Sequence, residues 1–256
     1  MAAPNPTFSL ILFLILTLFY SIIKYYTKSE KMILIWTSVY FLVNIISQFF
    51  INLGVINEIC GKADYYLAFK TTIIPQFLVF SIVFLILITF PGWLIPFSNT
   101  IGYLFAYLTG VNGFLKSILK ENINNENTNE ADLVKALNNV YLDKSLLINS
   151  ITMQNVEQWW QSMSQGGLFK PDVQDSDKDT LKQYIKLKTE VSEFIWLAFT
   201  GVYTTSVSYN AIVNSECTQS LEEMEKRHQE YLEKEKKITN DKNKESKNKI
   251  IYKTYD

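Results

Sequence analysis

TTIIPQFLVFSIVFLILITFPGWLIPFSNTIGYLFAYLTGVNGFL, the stretch from Thr71 to Leu115, runs for roughly 45 residues without an Asp, Glu, Lys or Arg. At about 1.5 Å per helical residue it could reach about 68 Å, more than twice the ~30 Å hydrocarbon core of a bilayer, so it is long enough for two crossings. Near its middle Pro91-Gly92-Trp93-Leu94-Ile95-Pro96 supplies two prolines and a glycine, which break a helix and turn the chain. The expectation is one membrane helix over about 72–90 and another over about 98–115, with Trp93 at the boundary between lipid and water. The fold class is therefore all-α, a multi-pass helical membrane protein.

Two further apolar runs precede this stretch. Residues 8–23 make a first membrane helix, slightly short and closed by Lys24; a cleaved signal peptide would need a basic start and a small-residue cleavage site, and neither is present. Tyr25, Tyr26 and Lys28 form an interfacial hinge, and about 32–53 makes the second crossing. Beyond Lys116 the composition changes. An Asn- and Glu-rich linker over 121–130 leads into a small helical extramembrane domain spanning 116–190. Its expected elements are a stripe of Leu133, Leu137 and Val140, then 145–151, then about 153–163 with Trp159 and Trp160. Ser176-x-x-Asp179 reads as a helix start with Ser176 as the cap, and no proline interrupts the chain from there to Val213. One helix could thus rise from the domain and continue as a last membrane span over 191–213. Residues 214–256 read as a charged helix followed by a disordered tail.

Net charge is −1, so no global field recruits nucleic acid, and no specific nucleic-acid binding is expected. Two cysteines, Cys60 and Cys217, are too few for a disulfide framework, and a single histidine, His228, argues against an imidazole metal site. Asp172, Asp175, Asp177 and Asp179 suggest calcium ligands at first sight. An EF-hand loop begun at Asp175 would need Gly where Thr180 stands and Glu where Lys186 stands, so the match fails. No Asn-x-Ser/Thr glycosylation acceptor occurs, with x other than Pro, which counts against long exposure in a secretory lumen. There is no Gly-rich phosphate loop, no Ser/His/Asp set and no Cys-x-x-Cys, so no catalytic, cofactor or metal residues are assigned and the chain is read as a non-enzyme.

The candidate residues are instead those of contact. Asn44, Gln48 and Asn52 recur every four residues and align on one helical face; Gly201 and Thr205, and Thr204 and Ser208, place small residues four apart in the last span. Packing of these two faces against each other is the leading tertiary expectation. A channel or transporter using the Asn44/Gln48/Asn52 face is the alternative from another class, although transport paths usually contain an ionisable group, and none lies within these spans. Trp159 and Trp160 are the candidate partner contacts. The positive-inside rule favours five crossings over four, because five put the Lys24 to Lys31 hinge and the Lys-rich tail on one side. With four, the segment after Pro96 only lies against the membrane.

Several strings resemble a membrane protein family of the nucleocytoplasmic large DNA viruses: Pro91 to Tyr103, Ser145-Leu146-Leu147-Ile148-Asn149, Gly167-Leu168-Phe169-Lys170-Pro171, Glu193-Phe194-Ile195-Trp196, and Thr204 to Asn210. The likeness spans about Thr71 to Tyr231. It implies a virion structural component in the inner membrane beneath an icosahedral capsid, present in host membranes during assembly. Its partners would be the lipid bilayer and capsid or other virion membrane proteins. A membrane assembly or fusion factor is the remaining alternative. The family carries no site residues over to this chain.

Overall fold

The computed structural model describes residues 7–120, 143–215, 217 and 221–247. The expected linker and the Leu133/Leu137/Val140 stripe lie outside the described residues. Two units divide the chain, 1–213 and 214–256.

In the first unit, α1 (Thr7–Tyr26), α2 (Glu30–Cys60) and α3 (Tyr65–Thr89) are each long and apolar enough to cross a membrane. All three extend beyond their expected bounds because flanking polar residues continue the helices past the apolar runs. Asp64 caps α3 by accepting the amide of Leu67 at 2.9 Å. Pro75 lies inside α3, and the turn that follows it, Gln76–Phe80, widens to π geometry. Proline lacks the amide that would close the ladder there, and a wider turn is one way a helix absorbs that loss.

Side-chain hydrogen bonds establish the helix directions. Ser9 meets Gln48 at 2.5 Å, Thr17 meets Tyr40 at 2.8 Å and Tyr20 meets Thr37 at 2.9 Å, so α1 and α2 run antiparallel. Asn52 donates to Thr72 at 2.8 Å, joining the end of α2 to the start of α3. The bundle is inside out by the standards of a water-soluble protein. Gln48 and Thr17 are buried, while Leu34, Phe50 and Phe77 are 69%, 63% and 65% exposed. Such a surface suits hydrocarbon as solvent, in which apolar side chains lose nothing by exposure and polar ones must find partners inside.

The segment expected as a helix over 98–115 does not form as one rod. A 3-10 turn, Pro91–Leu94, leads into α4 (residues 95–108), which contains a π turn at Ser98–Gly102. Gly110 then adopts φ 101°, a left-handed conformation that stops α4 and starts α5 (Val111–Ile118) in a new direction. These pieces lie along the outer half of the last long helix. There follow α6 (Lys144–Asn149), capped by Asp143 accepting from Ser145 at 2.9 Å, and α7 (Val156–Gln165). Both are shorter or later than the sequence suggests. The start of α7 is held by a reciprocal pair in which the Thr152 amide donates to Asn155 Oδ1 at 2.7 Å and the Asn155 amide to Thr152 Oγ1 at 3.3 Å.

The long helix α8 (Asp175–Val213) has 39 residues and joins both halves of the unit. Its start differs from expectation. Asp177, not Ser176, supplies the cap contact, its carboxylate accepting the amide of Gln174 at 2.8 Å. The outer half of α8 places Leu181 and Ile185 in a core with Ala106, Val111, Leu115, Ile148, Val156 and Trp160. Its inner half places Leu197 in a second core with Phe13, Tyr20, Tyr40 and Phe80. In the second unit, α9 (Leu221–Lys247) is a charged helix that exposes Tyr231, Leu232 and Ile238.

The tightest joint between α8 and its neighbours is Gly201. A Cβ there would lie 1.9 Å from Phe13 Cε1, and the ring is fully buried and cannot swing clear. Gly201→Ala is expected to destabilise the detergent-solubilised protein by about 2 kcal/mol in chemical unfolding. Adding Phe13→Ala should recover most of the loss attributable to overlap, so strict additivity of the two changes would refute this packing.

Candidate functional site

The polar and small residues singled out in the expected spans all sit inside the bundle. Asn44, Gln48 and Asn52 are buried to 2%, 1% and 4% exposure, and Gly201, Thr205 and Ser208 are buried as well. Gln48 both accepts from Ser9 and donates to the Ser9 carbonyl at 3.1 Å, Asn44 donates to the Tyr40 carbonyl at 3.2 Å, and Asn52 holds Thr72. Within α8, Thr205 donates to the Gly201 carbonyl at 2.8 Å. Gly201 accommodates Phe13 of α1, so the small face of α8 serves α1 at that level, where the sequence pointed to α2 alone.

Where the bundle meets the outer domain, a charged layer appears that sequence periodicity did not reveal. Lys24, near the end of α1, pairs with Glu193 and lies 3.4 Å from Glu190, both on α8. Burial raises the Glu190 carboxyl above the ordinary carboxylate range, with neighbouring Lys24 acting against that rise. One turn up α8, Lys186 donates to the carbonyls of Tyr25 at 2.6 Å and Thr27 at 3.1 Å, capping the open end of α1 with a cation. The spacing of Lys186, Glu190 and Glu193 along one helix face was the available signal; what α1 contributed across the sequence was not.

Next to this layer lies Lys188, 1% exposed. Its ammonium donates to Asn149 Oδ1 at 2.7 Å, to the Ile148 carbonyl at 3.0 Å and to Asn99 Oδ1 at 3.4 Å. One side chain thereby ties α4, α6 and α8 together. On the same turn a Cβ at Gly102 would meet the Lys188 carbonyl at 2.6 Å, so glycine is what lets α4 approach. Two hydrogen bonds continue this seam toward the bundle: Ser192 donates to the Leu94 carbonyl at 2.6 Å and Trp196 Nε1 to the Trp93 carbonyl at 2.8 Å. A cleft of about 80 Å³ between Ser98, Asn99, Asn149, Thr152 and Thr189 lies beside the seam.

Trp159 and Trp160 belong to the outer domain's own packing. Trp160 is buried with its ring 4.5 Å from that of Phe169, and Trp159 is half-buried with its ring 6.1 Å from the same Phe169. Phe169 is held in place by an isolated β-bridge to Leu119, flanked by the Lys170 amide donating to the Ile118 carbonyl at 2.9 Å. At the domain surface Glu157 pairs with Lys178 and Lys182 of α8, which lower its carboxyl below the ordinary range. Among the described residues no group of three or more His, Cys, Asp or Glu side chains is placed to hold a metal ion.

No family model, no curated protein and no solved structure matches the chain.

Burial without a carboxylate partner pushes the Lys188 ammonium down to about 8. The unfolded chain then binds a proton that the folded chain has released between pH 8 and the ordinary lysine range, so stability rises with pH across that window. Lys188→Met should abolish this rise in pH-dependent unfolding while leaving the slope below pH 7 unchanged. A rise of equal size in the variant would show that Lys188 is not its source.

Proposed function

We propose that the chain is a structural membrane protein of a large DNA virus particle, linking the internal lipid membrane to the capsid shell through protein–protein contacts. The observation that carries this reading is α8. An unbroken helix shares one core with the outer domain and another with the apolar bundle, so a load on the domain passes directly into the anchor. The charged layer and the Lys188 node brace the same junction from both sides. That arrangement suits a fixed strut better than a hinged receptor. The resemblance of the Pro91 to Tyr103 and Glu193 to Asn210 strings to large DNA virus membrane proteins supplies the biological setting, including host membranes during assembly and the inner virion membrane afterwards.

Binding rather than catalysis is the role proposed. The Asn44, Gln48 and Asn52 face supports this, since all three side-chain NH2 groups donate to the protein's own helices, although Asn44 Oδ1 is buried without a partner among the described residues. In particles stripped of lipid by non-ionic detergent, the chain is expected to sediment with the capsid. Quantitative release with the lipid fraction would overturn the linking role.

A further inference from the structure

We infer that the chain crosses the bilayer four times, with the outer domain on the cytosolic side and the ends of α2 and α8 facing an oxidising compartment. The inference is independent of the virion reading and rests on three observations in different parts of the molecule.

Helix direction comes first. The Ser9 to Gln48 and Tyr20 to Thr37 contacts make α2 antiparallel to α1, and the Asn52 to Thr72 contact returns α3 alongside α2. Lys24 near the end of α1 meets Glu193, and Phe13 near its start meets Gly201, so α8 also runs antiparallel to α1. The ends of α2 and α8 therefore lie at one end of the bundle. The outer domain and the hinge between α1 and α2 lie at the other. The segment expected to make a further crossing runs instead beside the outer half of α8, with Leu94 bonded to Ser192 and Thr109 accepting from Tyr184 at 3.3 Å.

Cysteine chemistry supplies the second observation. Cys60 and Cys217 are both disulfide-bonded and are the chain's two cysteines. Cys60 closes α2 and so belongs to the end of the bundle away from the domain. Disulfides form and persist where the surroundings are oxidising and are rare where thiol buffers keep cysteines reduced. That end therefore faces away from the cytosol.

Charge gives the third. At the domain end Lys24, Lys28 and Lys31 flank the short hinge, and Lys182, Lys186 and Lys188 stand on α8 just outside its apolar half. The α2–α3 connection at the opposite end carries Lys62, and Lys70 stands in the second turn of α3. Basic residues close to membrane helices are retained on the cytosolic side, so the hinge and the domain are assigned there. Of the basic residues that follow α8, Lys226 and Arg227 lie within about 20 residues of its end, the range over which the rule counts, and Glu216, Glu222, Glu223 and Glu225 precede them there. Redox chemistry and charge thus assign the same orientation to a bundle whose directions were established without either.

Consequences follow for recognition. A partner of the outer domain is to be sought on the cytosolic face.

Two full-length variants test the orientation during synthesis into microsomes. Glu245→Thr creates a glycosylation acceptor at Asn243, and Asn129→Thr creates one at Asn127. The expected result is one glycosidase-sensitive band shift for Glu245→Thr and none for Asn129→Thr. A glycan at Asn127, or on neither variant, overturns the assignment. On the unmodified sequence, a bulky maleimide applied under denaturing conditions should add nothing without reductant and two labels after reduction. Labelling without reductant would remove the redox argument and the orientation with it.

Discussion

One helix, α8, carries two opposite burial patterns. The outer half of α8 buries Leu181 and Ile185 against apolar side chains as any water-soluble domain would, while the inner half buries Thr200, Thr204 and Ser208 and leaves Phe199 and Tyr203 exposed. In water the first pattern is favourable and the second is not; in hydrocarbon the exposed rings cost nothing and the hydroxyls must turn inward. The change of pattern occurs near Glu193. Everything nearby follows from it: a charged layer can exist only where headgroups or water are within reach, and Lys24, Lys186, Glu190 and Glu193 gather at that level.

The polar interior of the bundle has a corresponding logic. Without a hydrophobic force between helices in lipid, association depends on close packing and interhelical hydrogen bonds, each of modest strength. Gly201 supplies the close approach and the Ser9 to Gln48, Thr17 to Tyr40 and Asn52 to Thr72 pairs supply the bonds. Such bonds specify register: sliding α2 by one residue would rotate its amides away from α1 and α3. Stacked and edge-on rings of Tyr20, Tyr40, Phe41 and Phe80 fill the remaining space, with Tyr20 and Tyr40 centroids 4.4 Å apart.

The three helices long and apolar enough to cross a membrane were legible because apolar runs and helical length are local properties. Residues 8–23 and 32–53 lie within α1 and α2, the expected 72–90 helix falls on α3 up to Thr89, and an uninterrupted helix to Val213 could be read from the absence of proline. The 98–115 segment, uncharged like the spans, is not one helix: Gly110 breaks it, while Gly102, inside α4, permits close packing on α8. Hydropathy alone also separates α8 from the three apolar helices, since Thr204, Thr205, Ser206 and Asn210 dilute its inner half. Contacts across long sequence distances, such as Lys24 with Glu193 or Lys188 with Asn149, leave no periodic trace in one chain.

Lys188 shows why the junction is specific rather than merely stable. Burying an ammonium among carbonyl and amide oxygens, with no carboxylate beside it, is unfavourable enough to lower its proton affinity. An apolar side chain there would avoid that penalty but would leave the Ile148 carbonyl and the Asn149 amide oxygen to find other partners. The three acceptors come from α4 and α6, so the ammonium is satisfied only when both are docked on α8 in one geometry. Partial docking exposes it and forfeits its bonds. A group that is costly in every arrangement except one biases the domain toward that arrangement, and a domain carried on a continuous helix then presents its surface at a defined height and angle relative to the apolar bundle.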